Sequence, residues 1–171
     1  MQFDLKNFLQ NAKTAYKTQF SVTFSEDEFG DFRVLQPAEC TFTAEPTEEG
    51  AAMSLHVQAQ VEGECARCLA PVTESNDFTR EYLVRMRDLD DPDFELPMDA
   101  EGCLDVRELV YQELIFEVPR VLLCSPDCLG LCPICGKKKA DGCTCRPAEN
   151  SAPVDARLSS VSYTHLTLPT T

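Results

Sequence analysis

Hydrophobic and polar residues alternate with period two over much of the first half of the chain. Phe20, Val22 and Phe24 are separated by Ser21 and Thr23, and Cys40, Phe42 and Ala44 by Thr41 and Thr43. The longest run sets Met53, Leu55, Val57, Ala59 and Val61 against Ser54, His56, Gln58, Gln60 and Glu62. Phe78, Tyr82, Val84 and Met86 continue the theme, with Arg80 standing where an apolar residue is expected. Period two places alternate residues on opposite faces of a strand, so these runs predict about four antiparallel strands, dry on one face and wet on the other. Turn residues separate them at Asp27 to Gly30, Pro46 to Gly50 and Ala70-Pro71. Two segments follow the helical period instead. Residues 4–16 carry Leu5, Phe8, Leu9 and Ala12, a short pattern with no clear cap. The better helix starts at Asp105, with Glu108 three residues on as in a capping box. Its stripe is Val106, Leu109, Val110, Leu114 and Phe116, and Pro119 stops it. Between sheet and helix, the acidic stretch Asp88 to Glu101 reads as a solvated linker without the acid spacing of a calcium loop. The expectation is an α+β body over 1–123, an antiparallel curved sheet or partial barrel with one packed helix.

After residue 123 the patterning stops. Residues 124–145 hold six cysteines, three glycines and two prolines, with little large apolar content. Such a segment cannot bury enough surface to fold alone and needs a cross-link or a metal. The expected organisation is therefore the body, a cysteine-rich metal-binding module over 124–146, and a disordered tail over 147–171. Ser160 to Thr171 has no charged residue and is rich in Thr, so it reads as non-native.

Composition and charge narrow the function. The chain has 171 residues and a net charge of −14. Residues 1–123 carry ten Lys or Arg against twenty-five Asp or Glu, whereas residues 124–150 are slightly basic. An acidic surface repels phosphate, which excludes non-specific nucleic-acid binding by the whole chain and suits a basic protein partner. No apolar run approaches the ~20 residues of a membrane span, so no membrane partner is expected. The opening residues Met1 to Lys6 lack the basic and apolar regions of a secretion signal, and the expected location is cytoplasmic. There is no phosphate loop, dinucleotide glycine pattern or nucleophile elbow, so nothing outside the cysteines looks catalytic and no small-molecule substrate is expected. His56 and His165 read as solvated.

Ten cysteines do not by themselves choose between disulfides and metal, but paired cysteines at short spacing in a cytosolic chain more often hold metal. Cys65-Ala66-Arg67-Cys68 falls at a chain reversal after the strongest strand, and two thiolates two residues apart are half of a tetrahedral zinc site. The competing readings are a redox pair, disfavoured because Pro71, Val72 and Thr73 oppose a following helix, and plain thiols. The second constellation is Cys124, Cys128, Cys132-Pro133-Ile134-Cys135-Gly136, Cys143 and Cys145. Proline presets the turn and glycine accepts positive φ, so backbone amides can aim at sulfur. Cys132, Cys135, Cys143 and Cys145 make one four-thiolate set. Cys124 and Cys128 can complete another with Cys65 and Cys68. A single site drawn from the six C-terminal cysteines is the competing partition. Zn²⁺, one or two per chain, is favoured over iron. Cys40 and Cys103 are left over, Cys40 as a buried thiol.

Taken in order, Cys65-x-Arg67-Cys68-Leu69, the acidic loop, the Leu104-Asp-Val-Arg-Glu-Leu-Val helix, and the run from Leu123 to Gly136 closing at Cys143-x-Cys145 resemble the YceD family, the large ribosomal RNA subunit accumulation proteins, in the Gram-positive form with a cysteine-rich C-terminus. The resemblance covers about residues 3–146 and leaves the tail after Arg146 outside. It implies a non-enzymatic ribosome-biogenesis factor supporting 23S rRNA synthesis, processing or stability and large-subunit assembly. It also implies a basic large-subunit ribosomal protein or a pre-ribosomal particle as partner, with rRNA touched at most locally. Arg67 and Lys137, Lys138 and Lys139 are the candidate contacts to RNA or partner. The alternatives are a thiol-disulfide oxidoreductase using Cys65 and Cys68, or a zinc-stabilised protein-interaction adaptor.

Overall fold

A computed structural model describes residues 1–91 and 94–145. The tail over 147–171 lies outside the described residues. In chain order the elements are β1 (Gln2–Asp4), α1 (Leu5–Asn11), β2 (Tyr16–Val22), β3 (Phe32–Val34), β4 (Ala38–Pro46), β5 (Ala51–Glu64), β6 (Pro71–Val84), β7 (Cys103–Asp105) and α2 (Val106–Glu117). The chain divides into two compact units, the first Met1–Cys128 and the second from Leu129 onward. Cys124 and Cys128 thus belong with the first.

β5 is the spine of the first unit. β6 pairs antiparallel along its whole length, from Ala51↔Val84 to Glu64↔Pro71. Its other side is shared by β4, from Glu39↔Gln58 to Pro46↔Ala51, and β3, from Phe32↔Gly63 to Val34↔Val61. β2 pairs outside β4. The alternation read from the sequence sets this register: Cys40, Phe42, Ala44, Met53, Leu55, Val57 and Phe78 are buried on one face. The sheet is open rather than a partial barrel, since β2 pairs with β4 and β6 with β5 and the two never meet. Closure would require those outer strands to pair.

Helices cover the dry face, and there are two among the described residues, not one. α2 buries Val106, Leu109, Val110 and Leu114 in the core shared with the strands. Each such side chain is worth about 1.5–3 kcal/mol of burial. Phe116, counted in the predicted stripe, is instead 80% exposed. Glu113 and Glu117 take the sheet-facing line of the last turn, and at 100° per residue Phe116 points away from it. There Arg80 Nε donates to Glu113 at 3.0 Å, Arg80 Nη2 to Glu117 at 2.7 Å, and the Tyr82 hydroxyl to Glu113 at 2.7 Å. The apparent break in alternation at Arg80 is thus the bond between sheet and helix. α1 is the shorter helix, and its cap is Asp4, whose carboxylate accepts from the Asn7 amide at 2.9 Å. Leu5 is fully buried beneath it.

The described residues of the acidic stretch after β6 are pinned rather than free. Leu89, Phe94, Leu96 and Met98 pack against the core, and the Asp99 carboxylate accepts from the Glu101 and Cys103 amides. β7 then pairs with β1.

Candidate metal centres

The β5–β6 connection forms the first knuckle. Cys65 N–H donates to the Ala70 carbonyl at 2.8 Å, and Leu69 N–H returns to the Cys65 carbonyl at 2.8 Å. This turn requires Leu69 at φ +57°, a left-handed conformation that costs a branched side chain roughly 1–2 kcal/mol. The segment after α2 comes back over it. Leu122 is buried against Gly63, where a Cβ would lie 2.5 Å from its Cδ1 and 3.1 Å from the Asp31 carbonyl, so a larger residue at that point of β5 would have to displace Leu122. The Leu122 carbonyl accepts from Ala66 N–H at 2.9 Å. Arg67 ties the two segments together: its Nη1 donates to the carbonyls of Pro126 at 3.1 Å and Cys128 at 3.0 Å.

These bonds bring Cys65, Cys68, Cys124 and Cys128 together, with all four sulfurs within 4.8 Å of one another. Cys65 and Cys128 sulfurs stand 3.8 Å apart, and those of Cys68 and Cys124 3.5 Å. A tetrahedral zinc with bonds of about 2.3 Å has sulfur–sulfur edges of about 3.8 Å, so the donor set fits such an ion. Cys65 and Cys68 are buried.

The second unit builds its site locally. Cys132 N–H donates to the Lys137 carbonyl at 2.7 Å, Lys139 N–H to the Gly130 carbonyl at 3.0 Å, and Leu131 bridges Lys138. The result is a short hairpin whose turn is Cys132 to Gly136, with Gly136 at φ +69°. The Ile134 amide points at the Cys132 sulfur, 3.4 Å away. Gly142, at φ +77°, turns the chain so that Cys143 and Cys145 close the set. Cys132, Cys135, Cys143 and Cys145 also lie with all sulfurs within 4.8 Å, and the sulfurs of Cys135 and Cys143 are 3.5 Å apart.

All ten cysteines are free thiols. Backbone amides of Cys124, Arg67 and Cys68 pull the Cys65 thiol down to about 6, and amides of Cys135 and Ile134 do the same for Cys132. Neighbouring sulfurs push Cys124 and Cys145 up to about 12. Four thiols this close cannot all ionise without a cation among them. The two clusters are therefore capable of chelating a metal ion each. Cys40 stays outside both, buried, with its thiol raised to about 12 chiefly by burial. Cys103 is also outside, half-buried and raised by burial and the carboxylates of Asp99, Asp4 and Glu101.

Beside Cys65 an open cleft of about 690 Å³ is lined by Glu26, Asp31, Glu62 and Glu64, with Arg33 and Arg120. Lys137, Lys138 and Lys139 are exposed along the second hairpin. Sequence reasoning missed Arg67's bonds to the carbonyls of the second segment, for which no local pattern exists. No helix among the described residues is long and apolar enough to cross a membrane.

Uncharacterized proteins of Mycobacterium bovis and of Mycobacterium tuberculosis are 31% identical over 96 residues, 54% of this chain. The chain spans about half the length of these curated relatives, 46% of each being covered. No solved structure matches significantly. The family model described as large ribosomal RNA subunit accumulation protein YceD matches residues 53–162. That match opens later than the resemblance read from the motifs and runs past Arg146 to residue 162, so it takes in part of the tail that the resemblance left outside; most of the stretch Ser160 to Thr171 that reads as non-native lies beyond it.

Proposed function

The chain belongs to the YceD family, whose domain is non-catalytic, and on that premise we propose a ribosome-biogenesis factor that supports 23S rRNA synthesis, processing or stability in the cytoplasm. The family match carries this reading. We propose Zn²⁺ in both clusters, held by Cys65, Cys68, Cys124 and Cys128 and by Cys132, Cys135, Cys143 and Cys145. Zinc suits all-sulfur tetrahedral sites that are asked for no redox work. Its chemistry here is that of a cross-link. Cys65 and Cys68 hold the β5–β6 turn, Cys124 and Cys128 hold the chain leaving α2, and Arg67 braces the two.

The acidic first unit, with its cleft of four carboxylates, favours a basic large-subunit ribosomal protein as partner. Lys137, Lys138 and Lys139 are the contacts to the particle. Arg67 contributes only through its position in the first knuckle, since its guanidinium is bonded to carbonyls. The test is a clean deletion. The ratio of 23S to 16S RNA falls, large subunits fall with it, and the protein co-sediments with pre-ribosomal particles. An unchanged ratio with no such association defeats the proposal, and turnover of a disulfide substrate by Cys65 and Cys68 would replace it with thiol-disulfide exchange. Elemental analysis finding two zinc ions per chain tests the metal assignment separately.

A further inference from the structure

We propose that the second unit is where this protein touches RNA, through a knuckle that takes single-stranded RNA with its lysines on phosphates and Ile134 against a base face. This rests on the ribosome-biogenesis reading and names the partner of one surface within it.

The hairpin is held by main-chain bonds and sulfurs. Its cross-strand bonds use the Lys137 carbonyl and Lys139 amide, and the knuckle uses the Gly136 and Ile134 amides. None of the side chains of Ile134, Lys137, Lys138 or Lys139 is needed for those bonds. Ile134 sits at the turn, 57% exposed, although nothing in the unit requires an apolar side chain there. Among the described residues no carboxylate pairs with the three lysines and no sulfur accepts from them. In the first unit, by contrast, Arg33, Arg80, Arg85, Arg87 and Arg107 all reach carboxylates. The lysines therefore do not serve to neutralise the thiolate centre by contact. Between Leu129 and Cys145 the only carboxylate is Asp141, whereas residues 1–123 carry a net −15. Phosphate is repelled by the body and accepted here.

The shape selects the strand state. A narrow hairpin with an apolar tip can meet the face of an unpaired base, while the bases of an RNA duplex lie in a groove that side chains do not read. A single strand also brings phosphates to successive lysines.

The experiment uses the full zinc-loaded chain, a short labelled single-stranded RNA and the same strand annealed to its complement, followed by fluorescence anisotropy at several salt concentrations. The single strand binds more tightly than the duplex, and log K falls with log salt at a slope of about −2, as expected for three phosphates on a single strand. The triple variant Lys137→Gln, Lys138→Gln, Lys139→Gln binds about tenfold or more weakly with a slope near zero. Its zinc content stays at the wild-type value, which shows the unit still folded. Ile134→Ser weakens single-strand binding while leaving the slope unchanged. Wild-type affinity in the triple variant overturns the proposal, as does equal affinity for duplex. Loss of a bound basic protein instead of RNA assigns the surface to protein and overturns it too. In a deletion strain, a triple variant that restores the 23S to 16S ratio and cross-links to RNA as well as wild type defeats this inference alone. A ratio that the deletion never changed defeats the broader reading, and the anisotropy result stands apart from it.

Discussion

Two clusters with the same four ligands stand in opposite relations to their surroundings. The first joins segments 56 residues apart, Cys68 to Cys124, inside a unit that already has a sheet, two helices and a common core. The second gathers four sulfurs from Cys132 to Cys145 in a unit where, among the described residues, Cys132 alone is buried. The sulfurs are equally close in both. On the proposed zinc assignment, identical chemistry fastens a fold in one place and takes the place of a core in the other. The difference comes from how much apolar surface the neighbouring sequence brings.

Substitutions should separate these roles. The largest effect is expected from Cys132→Ser or Cys135→Ser. A structural zinc contributes about 10–16 kcal/mol of apparent binding energy at neutral pH, far more than this segment holds otherwise. The second unit should unfold, zinc per chain should fall from two to one, and the thermal transition of the first unit should stay in place. A collapse of both units would break the contrast. Cys65→Ser or Cys124→Ser should do less. By chain entropy, a cross-link closing a loop of that length is worth about 4 kcal/mol. The first unit should keep its far-ultraviolet signal and melt at lower temperature, measurable by calorimetry. Glu113→Ala should cost about 2 kcal/mol, because it strands the Tyr82 hydroxyl and one arm of Arg80. Chemical denaturation of Glu113→Ala, Tyr82→Phe and the double variant measures the coupling, and zinc content should not change in any of them.

The smallest expected effect concerns acid. Burial raises the Glu28 carboxyl, but the Ser25 amide and Arg107 outweigh it, so its folded pKa lies below the ordinary value of 4.5. A depressed carboxyl contributes stability above its unfolded pKa and loses it as pH falls through the folded one. Glu28→Gln should therefore lower the stability of the first unit slightly near neutrality and flatten its loss below about pH 4.5, so that wild type and variant converge in acid. Equal acid sensitivity in wild type and variant would assign the whole acid limb to other groups.

Much of this was legible in the sequence because it depends on local periodicity or spacing. Alternation from Met53 to Val61 gave β5 its buried face, and Asp105 with the stripe to Leu114 gave α2. The knuckle Cys132 to Gly136 is a local motif, and its glycine has the positive φ that the motif needs. What the pattern could not carry is long-range. Arg80 reads as an error in a strand until Glu113 and Glu117 arrive from α2. The alliance of Cys65 and Cys68 with Cys124 and Cys128 was one partition among others until the chain after α2 was seen to cross Gly63. β1, β3 and β7 are three residues each, too short to show a period. The cap at Asp4 is one the sequence reading missed, although a carboxylate three residues before Asn7 has the required spacing.

The 56-residue separation between Cys68 and Cys124 also sets a clock during synthesis. At about 5–20 residues per second, translation leaves the Cys65–Cys68 pair without its partners for about 3–11 s. The thirteen residues after Cys132, ending at Cys145, are made in about 1–3 s. A nascent chain therefore carries an open two-thiolate clamp on a growing sheet, exposed to oxidants and competing metals, for several times longer than the later site takes to appear. The stretch most in need of protection before release is the turn from Cys65 to Leu69, in the part of the protein that is sturdiest once complete.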